Sequence, residues 1–382
     1  MRLYLDYNAS TPVDEPVRDA MLACLDGSPG NASSSHQFGR AARARIDAAR
    51  EQVAALVGVK PAQVIFTSGG TEANNLALHA VTAGRAPGRI AVTAIEHPSV
   101  LEPARQLQRS GWTLDLVGVD GQCRVTAETL QAGLHRETRL LSAMTANNET
   151  GVLQDLGLLA EAARRVGALF HTDAVQAAGK VALDFAASGA QLMTLSAHKM
   201  YGPQGVGALI VDPAVELVPL LSGGGQERGL RAGTENVAGI VGFGVAAELA
   251  ASRLADRSAR LRSLRERLEA GLARHPQIQV FARSAERLPN TVQLAVAGFD
   301  GEALLMQLDK AGIAVSSGSA CSSGKTEPSH VLLAMGVDEP TARGAIRISL
   351  GKDTSEADID ALLRILQERI QWLARAGSAV GW

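Results

Sequence analysis

The chain has 382 residues, of which 46% are hydrophobic and 20% charged, enough apolar length for one large core and a smaller one. A net charge of -2, from 37 basic and 39 acidic residues, excludes a broad electrostatic grip on nucleic acid, and 3% aromatic content leaves few base-stacking platforms. The three cysteines, Cys24, Cys123 and Cys321, show neither a disulfide framework nor a metal-type spacing, which points to a reducing compartment. With no apolar leader and no uncharged run of spanning length, the protein is expected to be cytoplasmic and not a membrane protein.

Residues 6–12, Asp6-Tyr7-Asn8-Ala9-Ser10-Thr11-Pro12, form a polar, turn-rich start. A helix is expected over 13–26, with Cys24 on its apolar side. After a loop of small polar residues (30–36) comes an Ala/Arg-rich helix ending near Val57. Its Arg40, Arg43, Arg45 and Arg50 read better as a solvated face than as an anion site.

From Val64 onward, short apolar or β-branched runs occur at 64–67, 90–93, 114–117, 140–145, 168–172, 192–196 and 206–211, most of them separated by helical patterns. This alternation predicts a largely parallel sheet covered on both faces. The last two runs are too close for a crossover helix, so one antiparallel edge strand is expected. A Gly-rich loop (222–228) then precedes a long helical region, 235–274, with a possible kink at Gly242 and Gly244. Beyond it, strands at 291–296, 313–316 and 345–350 alternate with a helix at 301–311. A final helix is capped by Thr354 or Ser355, with Ile359, Leu362, Leu363, Leu366, Ile370 and Leu373 on one stripe.

Chemistry gathers at the ends of the predicted strands. The run 190–195 delivers Ser196-Ala197-His198-Lys199 to the carboxyl end of a buried strand, where open α/β sheets bind ligands. A buried lysine suits Schiff-base chemistry, although Lys199 alone reads as a lysine snorkelling at a sheet rim. Ser68-Gly69-Gly70-Thr71-Glu72 is a Gly-rich strand-to-helix turn, a possible phosphate seat that lacks both the Walker and the Gly-x-Gly-x-x-Gly patterns. Asp173 ends another strand; it can be a simple helix cap or hold a protonated heterocyclic nitrogen. Lysine, aspartate and phosphate seat on one sheet are the parts of a pyridoxal phosphate site.

His97 follows a strand and can stack on a cofactor and move protons. Asn147 and Asn148 end another and offer amide donors. Arg347, a charge inside a strand, needs a partner, and a substrate carboxylate would supply a bidentate one. Cys321 lies in Ser316-Ser317-Gly318-Ser319-Ala320-Cys321-Ser322-Ser323-Gly324, small residues from which a mobile, exposed loop and a reactive thiol are expected. Cys24 and Cys123 read as inert.

Together these motifs resemble the group I cysteine desulfurases, the NifS/IscS type within the class V aminotransferases. The resemblance runs nearly end to end: Asp6-Tyr7-Asn8-Ala9, Thr67 to Glu72, Glu96-His97-Pro98, Ala146 to Gly151, His171 to Gln176, His198-Lys199, Gln226-Glu227-Arg228, Arg231 to Asn236, Ser316 to Cys321 and Glu327 to His330. Its details lean toward the NifS branch. It implies the fold of the fold-type I pyridoxal 5'-phosphate (PLP) enzymes. The large domain (13–255) would hold a mainly parallel seven-stranded sheet, and a smaller α/β domain (1–12 and 256–382) would carry the cysteine loop.

Carried over by residue, the resemblance implies Lys199 as the Schiff base, Asp173 on the pyridine nitrogen, and Asn148 and Gln176 at the ring oxygen. His97 would stack over the ring. Gly70, Thr71, Ser196 and His198 would hold the phosphate, joined by Thr234 of a second subunit, so a homodimer is expected. Arg347, with Asn148, would bind the substrate. The implied reaction takes L-cysteine to L-alanine, with a persulfide on Cys321 passed to an acceptor protein such as an Fe-S scaffold. Selenocysteine lyase, another class V lyase, or a relay protein without turnover are the other readings; a nicotinamide dehydrogenase lacks its fingerprint. The chain departs from the family pattern with Ala197 in place of Gly and Ala32 in place of Pro. It also stops short of the carboxyl-terminal extension that the IscS branch uses for its scaffold.

Overall fold

The computed structural model describes residues 2–27, 29–317 and 327–380, the side chains of 374–380 excepted. Cys321 and the loop around it, residues 318–326, lie outside the described residues.

Seven strands form the central sheet: β2 Val64–Thr67, β3 Arg89–Thr93, β4 Thr113–Val117, β5 Thr138–Ser142, β6 Leu169–Asp173, β7 Leu192–Ser196 and β8 Gly207–Val211, in the order β2-β8-β7-β6-β5-β3-β4. Three of them, β2, β7 and β8, are rich in Leu, Ile, Val, Phe and Met and buried at every position, as strands covered on both faces must be. The helices Gln37–Leu56, Leu156–Val166 and Val237–Ser252 pack on one face, and Gly70–Thr82 with Pro98–Arg109 on the other.

β8 is antiparallel to both neighbours, β7 and β2. The expected antiparallel edge is therefore an interior strand. The short connection makes β7–β8 a hairpin-like pair, but β2, made much earlier in the chain, closes the other side of β8 and takes the edge. All the remaining strands run one way, so β2, β3, β5, β6 and β7 present their carboxyl ends together.

The long helical region is two helices, Val237–Ser252 and Leu254–Leu272, bent by 71° at Arg253 and not at the glycines. Gly242 and Gly244 instead allow close approach. A Cβ on the first would meet Met21 at 2.8 Å, and on the second the Ala49 backbone at 2.7 Å. No single described helix is long and apolar enough to cross a membrane.

A second core gathers around β9 Ile278–Val280, β10 Thr291–Val296, β12 Ser316–Ser317 and β13 Ala345–Ser349, an antiparallel sheet in the order β12-β13-β10-β9. The expected strand at 313–316 is split: β11 Ile313–Ala314 pairs in parallel with β1 Leu3–Tyr4, and β12 joins the sheet with β13. Leu3 and Leu5 thus enter the core built by Leu264, Leu268, Val292, Ile348, Ile359, Leu362 and Leu366. The final helix, Glu356–Val380, starts at Ser355, whose hydroxyl accepts from the Asp358 N–H while the Asp358 carboxylate accepts from the Ser355 N–H.

Not all of the arginine-rich helix face is solvated. Arg40 and Arg45 are exposed, whereas Arg50 is buried and makes a two-point pair with Glu227 at 2.6 and 2.7 Å, and Arg43 reaches Glu235 at 2.8 Å. Sequence periodicity places Arg50 on a face but cannot supply a partner 177 residues away.

Candidate active site

The strand ends enclose a cavity of about 340 Å³ lined by Asn8, Gly70, Thr71, Asn74, His97, Ser99, Asn148, Asp173, Gln176, Ser196, His198, Lys199 and Arg347, among others. Nine sequence candidates meet there on the large sheet: Gly70, Thr71, His97, Asn148, Asp173, Gln176, Ser196, His198 and Lys199. Arg347 enters from β13 of the small sheet. Thr234 is exposed and stands outside the lining of this cavity.

Local geometry explains each placement. Lys199 ends a short 3-10 turn, Ala197–Lys199, that breaks β7 at its carboxyl end. Its Nζ donates to the backbone carbonyls of Asn8 at 2.6 Å and Ala9 at 2.8 Å. Ala197 is fully buried, and its methyl faces Gly202, where an added Cβ would come within 2.8 Å. The missing side chain at 202 therefore absorbs the alanine.

The turn after β2 runs through Gly69, at φ +154°, a conformation that only glycine adopts without strain. It opens the helix Gly70–Thr82, whose first N–H groups have no acceptor within the helix and carry the positive end of its dipole. Ser196 and His198 flank the same turn. Burial, with Lys199 and Lys180 adding to it, pushes the His198 imidazole down to about 4, so it is neutral at pH 7.

Asp173 is held by the N–H of Val175 at 2.9 Å and by the Asn74 amide at 2.7 Å. Asn74 also donates to the Ser99 hydroxyl at 2.8 Å, and that hydroxyl lies 2.7 Å from His97 Nδ1. The carboxylate only accepts, so the amide nitrogen must donate, and the Ser99 hydroxyl turns its proton to His97. The Ser99 N–H reaches the same Nδ1 at 3.1 Å. His97 Nδ1 is an acceptor twice over, which leaves the ring proton on Nε2. Burial lowers the pKa of His97, with Lys199 and His330 acting the same way and Asp173 opposing them. The ring is neutral and oriented, with its Nε2–H as the donor.

Gln176 donates to the carbonyl of Asn8 at 2.9 Å and accepts from Lys180 Nζ at 2.7 Å. Lys180 also donates to Asn8 Oδ1 at 2.9 Å, and burial drives its pKa well down. Asn8, Asn74, Ser99 and Lys180 are the residues whose site role the sequence left unread. Asn8 sits inside a quoted motif without an assigned task. Asn74 lies one helical turn after Gly70, and that spacing is the one signal that could have exposed it.

Cys123 is buried in the turn 120–124, and burial pushes its thiol up to about 12. Cys24 is half-buried on its helix.

A cavity at the carboxyl ends of a mainly parallel sheet, with lysine, aspartate and a helix start around it, defines the fold-type I architecture of pyridoxal phosphate enzymes. The chain belongs to the aminotransferase class-V family, which it matches over residues 3–362. It is 44% identical over 373 residues to a cysteine desulfurase of Trichormus azollae, covering 97% of this chain and 93% of that one. It is 45% identical over 377 residues to the cysteine desulfurase IscS of Anaeromyxobacter sp. (strain Fw109-5), with 97% and 93% covered. Its fold superposes on a solved NifS-like protein with a TM-score of 0.90 and 37% identity, covering 97% of this chain and all of the other.

Proposed function

We propose that the protein is a pyridoxal phosphate-dependent cysteine desulfurase, converting L-cysteine to L-alanine and handing the sulfur, through Cys321, to an acceptor protein. The observation that carries this is the convergence of Lys199, Asp173 and the Gly70 helix start on one cavity that Arg347 also lines. The relatives named cysteine desulfurases over nearly the whole chain support the substrate.

The residues present fit the coenzyme. A carboxylate fixed by two donors stands ready for a pyridinium nitrogen, an amine lies at the strand end, and open backbone N–H groups suit a phosphate. When bound, pyridoxal phosphate supplies an electron sink for the substrate amino acid. Lys199 would hold it, with Asp173 at the ring nitrogen, Gln176 and Asn148 at the ring oxygen, and Gly70, Thr71, Ser196 and His198 at the phosphate.

Lys199 is also the group placed to move the Cα proton. The neutral His97 forms part of the wall, and its Nε2 proton would be the one it gives to the reacting atoms. The Cys321 thiolate would attack the substrate sulfur. Its new S–S bond replaces the broken C–S bond; the sulfur is oxidised to the sulfane level, and the carbon leaves reduced, as alanine. Cysteine and a thiol thus give alanine and a persulfide, with no other reactant.

We infer a division into a large domain (13–255) and a small one (1–12 with 256–382), supported by the separate clusters around the large sheet and around β10 and β13. A homodimer would let the exposed Thr234 reach the phosphate of the partner's site.

The test is direct. The purified protein incubated with the coenzyme should turn yellow, and Lys199→Ala should fail to retain the colour through dialysis. Cys321→Ser should keep the colour and lose sulfide release from L-cysteine. A colourless wild type, or a Cys321→Ser protein that works at full rate, overturns the reading.

A further inference from the structure

Arg347 enters the cavity with part of its fork already engaged. Nη2 donates to Asp6 Oδ1 at 2.7 Å, Nη1 donates to the Asn148 carbonyl at 3.0 Å, and the buried Nε has no partner among the described residues. The arginine side chain is 2% exposed and the aspartate 19%. An incoming carboxylate can make the two-point contact of an arginine fork only if Asp6 gives up its nitrogen.

Asp6 is built to do so. The backbone around it is pinned: the Tyr7 N–H donates to the Ser349 carbonyl at 3.3 Å, and the Tyr4 hydroxyl donates to the Asp6 carbonyl at 3.0 Å and the Ser10 carbonyl at 2.9 Å. The carboxylate itself reaches solvent and can leave by a side-chain rotation alone.

We propose that Asp6 is a specificity-determining residue that stands in for the substrate's α-carboxylate on Arg347 and is displaced by it. This deepens the reading of Arg347 as the carboxylate seat and rests on it. A guanidinium this deeply buried needs a negative partner whether or not substrate is present. Asp6 supplies it in the empty site, so binding is an exchange of one carboxylate for another. An amine that lacks a carboxylate gains nothing from Arg347 and leaves Asp6 in place, which is selection by an unmet exchange. The same exchange lowers the affinity for true carboxylates, favouring release of an amino-acid product.

The experiment compares the coenzyme-loaded wild type, Asp6→Asn and Arg347→Gln for binding of L-alanine and L-alaninamide, by spectral titration and by shift in melting temperature. Asp6→Asn should melt lower without ligand, bind L-alanine about tenfold more tightly and gain more stability from it, with L-alaninamide unchanged. Should that variant not fold, Asp6→Ser, which admits water beside the arginine, should show the same order. Unchanged or weaker L-alanine binding in the aspartate variants, with the response lost in Arg347→Gln, overturns the proposal and leaves the carboxylate seat standing. A full L-alanine response in Arg347→Gln overturns both.

Discussion

Arg50 and Arg347 are both buried arginines paired with a carboxylate, and they do opposite work. Arg50 is saturated. Its two terminal nitrogens meet both oxygens of Glu227 and the Val64 carbonyl, and its plane lies 4.7 Å from the centre of the Phe66 ring. Glu227 in turn accepts the Phe66 N–H and holds left-handed backbone, φ +46°, in the loop that leads to Thr234. Arg347 has one carboxylate oxygen, one carbonyl and an Nε without a partner among the described residues. An unpartnered nitrogen is not the mark of function, since Arg287 leaves two without partners among the described residues and is not part of the cavity lining. What separates Arg347 is that its side chain lines the cavity and its anion reaches solvent.

Substitutions should break the two pairs in different ways. Glu227→Gln strips the counter-charge from a buried guanidinium, so the loss should fall on stability, at about 3–5 kcal/mol in urea unfolding. A midpoint unchanged from wild type would mean that the Arg50 site rehydrates. Arg347→Gln removes a charge-assisted contact to the substrate, worth about 1.5–3 kcal/mol, so kcat/KM for L-cysteine should fall by about 10- to 150-fold. Its signature is a raised KM; a change confined to kcat would place Arg347 at the reacting atoms instead.

The same contrast marks what was legible in the chain. Apolar runs with helices between them identify β2 to β8 because strand burial is a local pattern, and Lys199, Asp173 and His97 stand out because each directly follows such a run. Pairing order is not local. The interior place of β8 depends on β2, and the tie of Arg50 to Glu227 depends on how the Gly-rich loop folds back, so both escape a reading by periodicity. Asn74 and Ser99 were silent for another reason. Their importance lies in fixing Asp173 and the tautomer of His97, which only the folded geometry reveals.

Glu96 extends the comparison to a buried acid with no ion-pair partner among the described residues. Its side chain is fully buried; Oε1 accepts from the Thr93 hydroxyl and the Met144 N–H, both at 2.6 Å, and Oε2 has no partner among the described residues. Burial, reinforced by the charge of Asp173 and opposed by the Thr93 hydrogen bond, pushes its carboxyl up to about 8 from 4.5. Below pH 4.5 the acid is neutral in both folded and unfolded chains. Between 4.5 and 8 the unfolded chain releases this proton while the native one keeps it, so stability must fall as pH rises, by up to about 1.4 kcal/mol per pH unit. Glu96→Gln keeps the shape and cannot ionise. Over one pH unit this is the smallest of the three effects, and it isolates the acid from every other titrating group. Urea midpoints from pH 5.5 to 7.5 should show the wild type losing stability relative to Glu96→Gln. Parallel curves would mean that Glu96 is ionised in the native state and that a cation or water reaches Oε2.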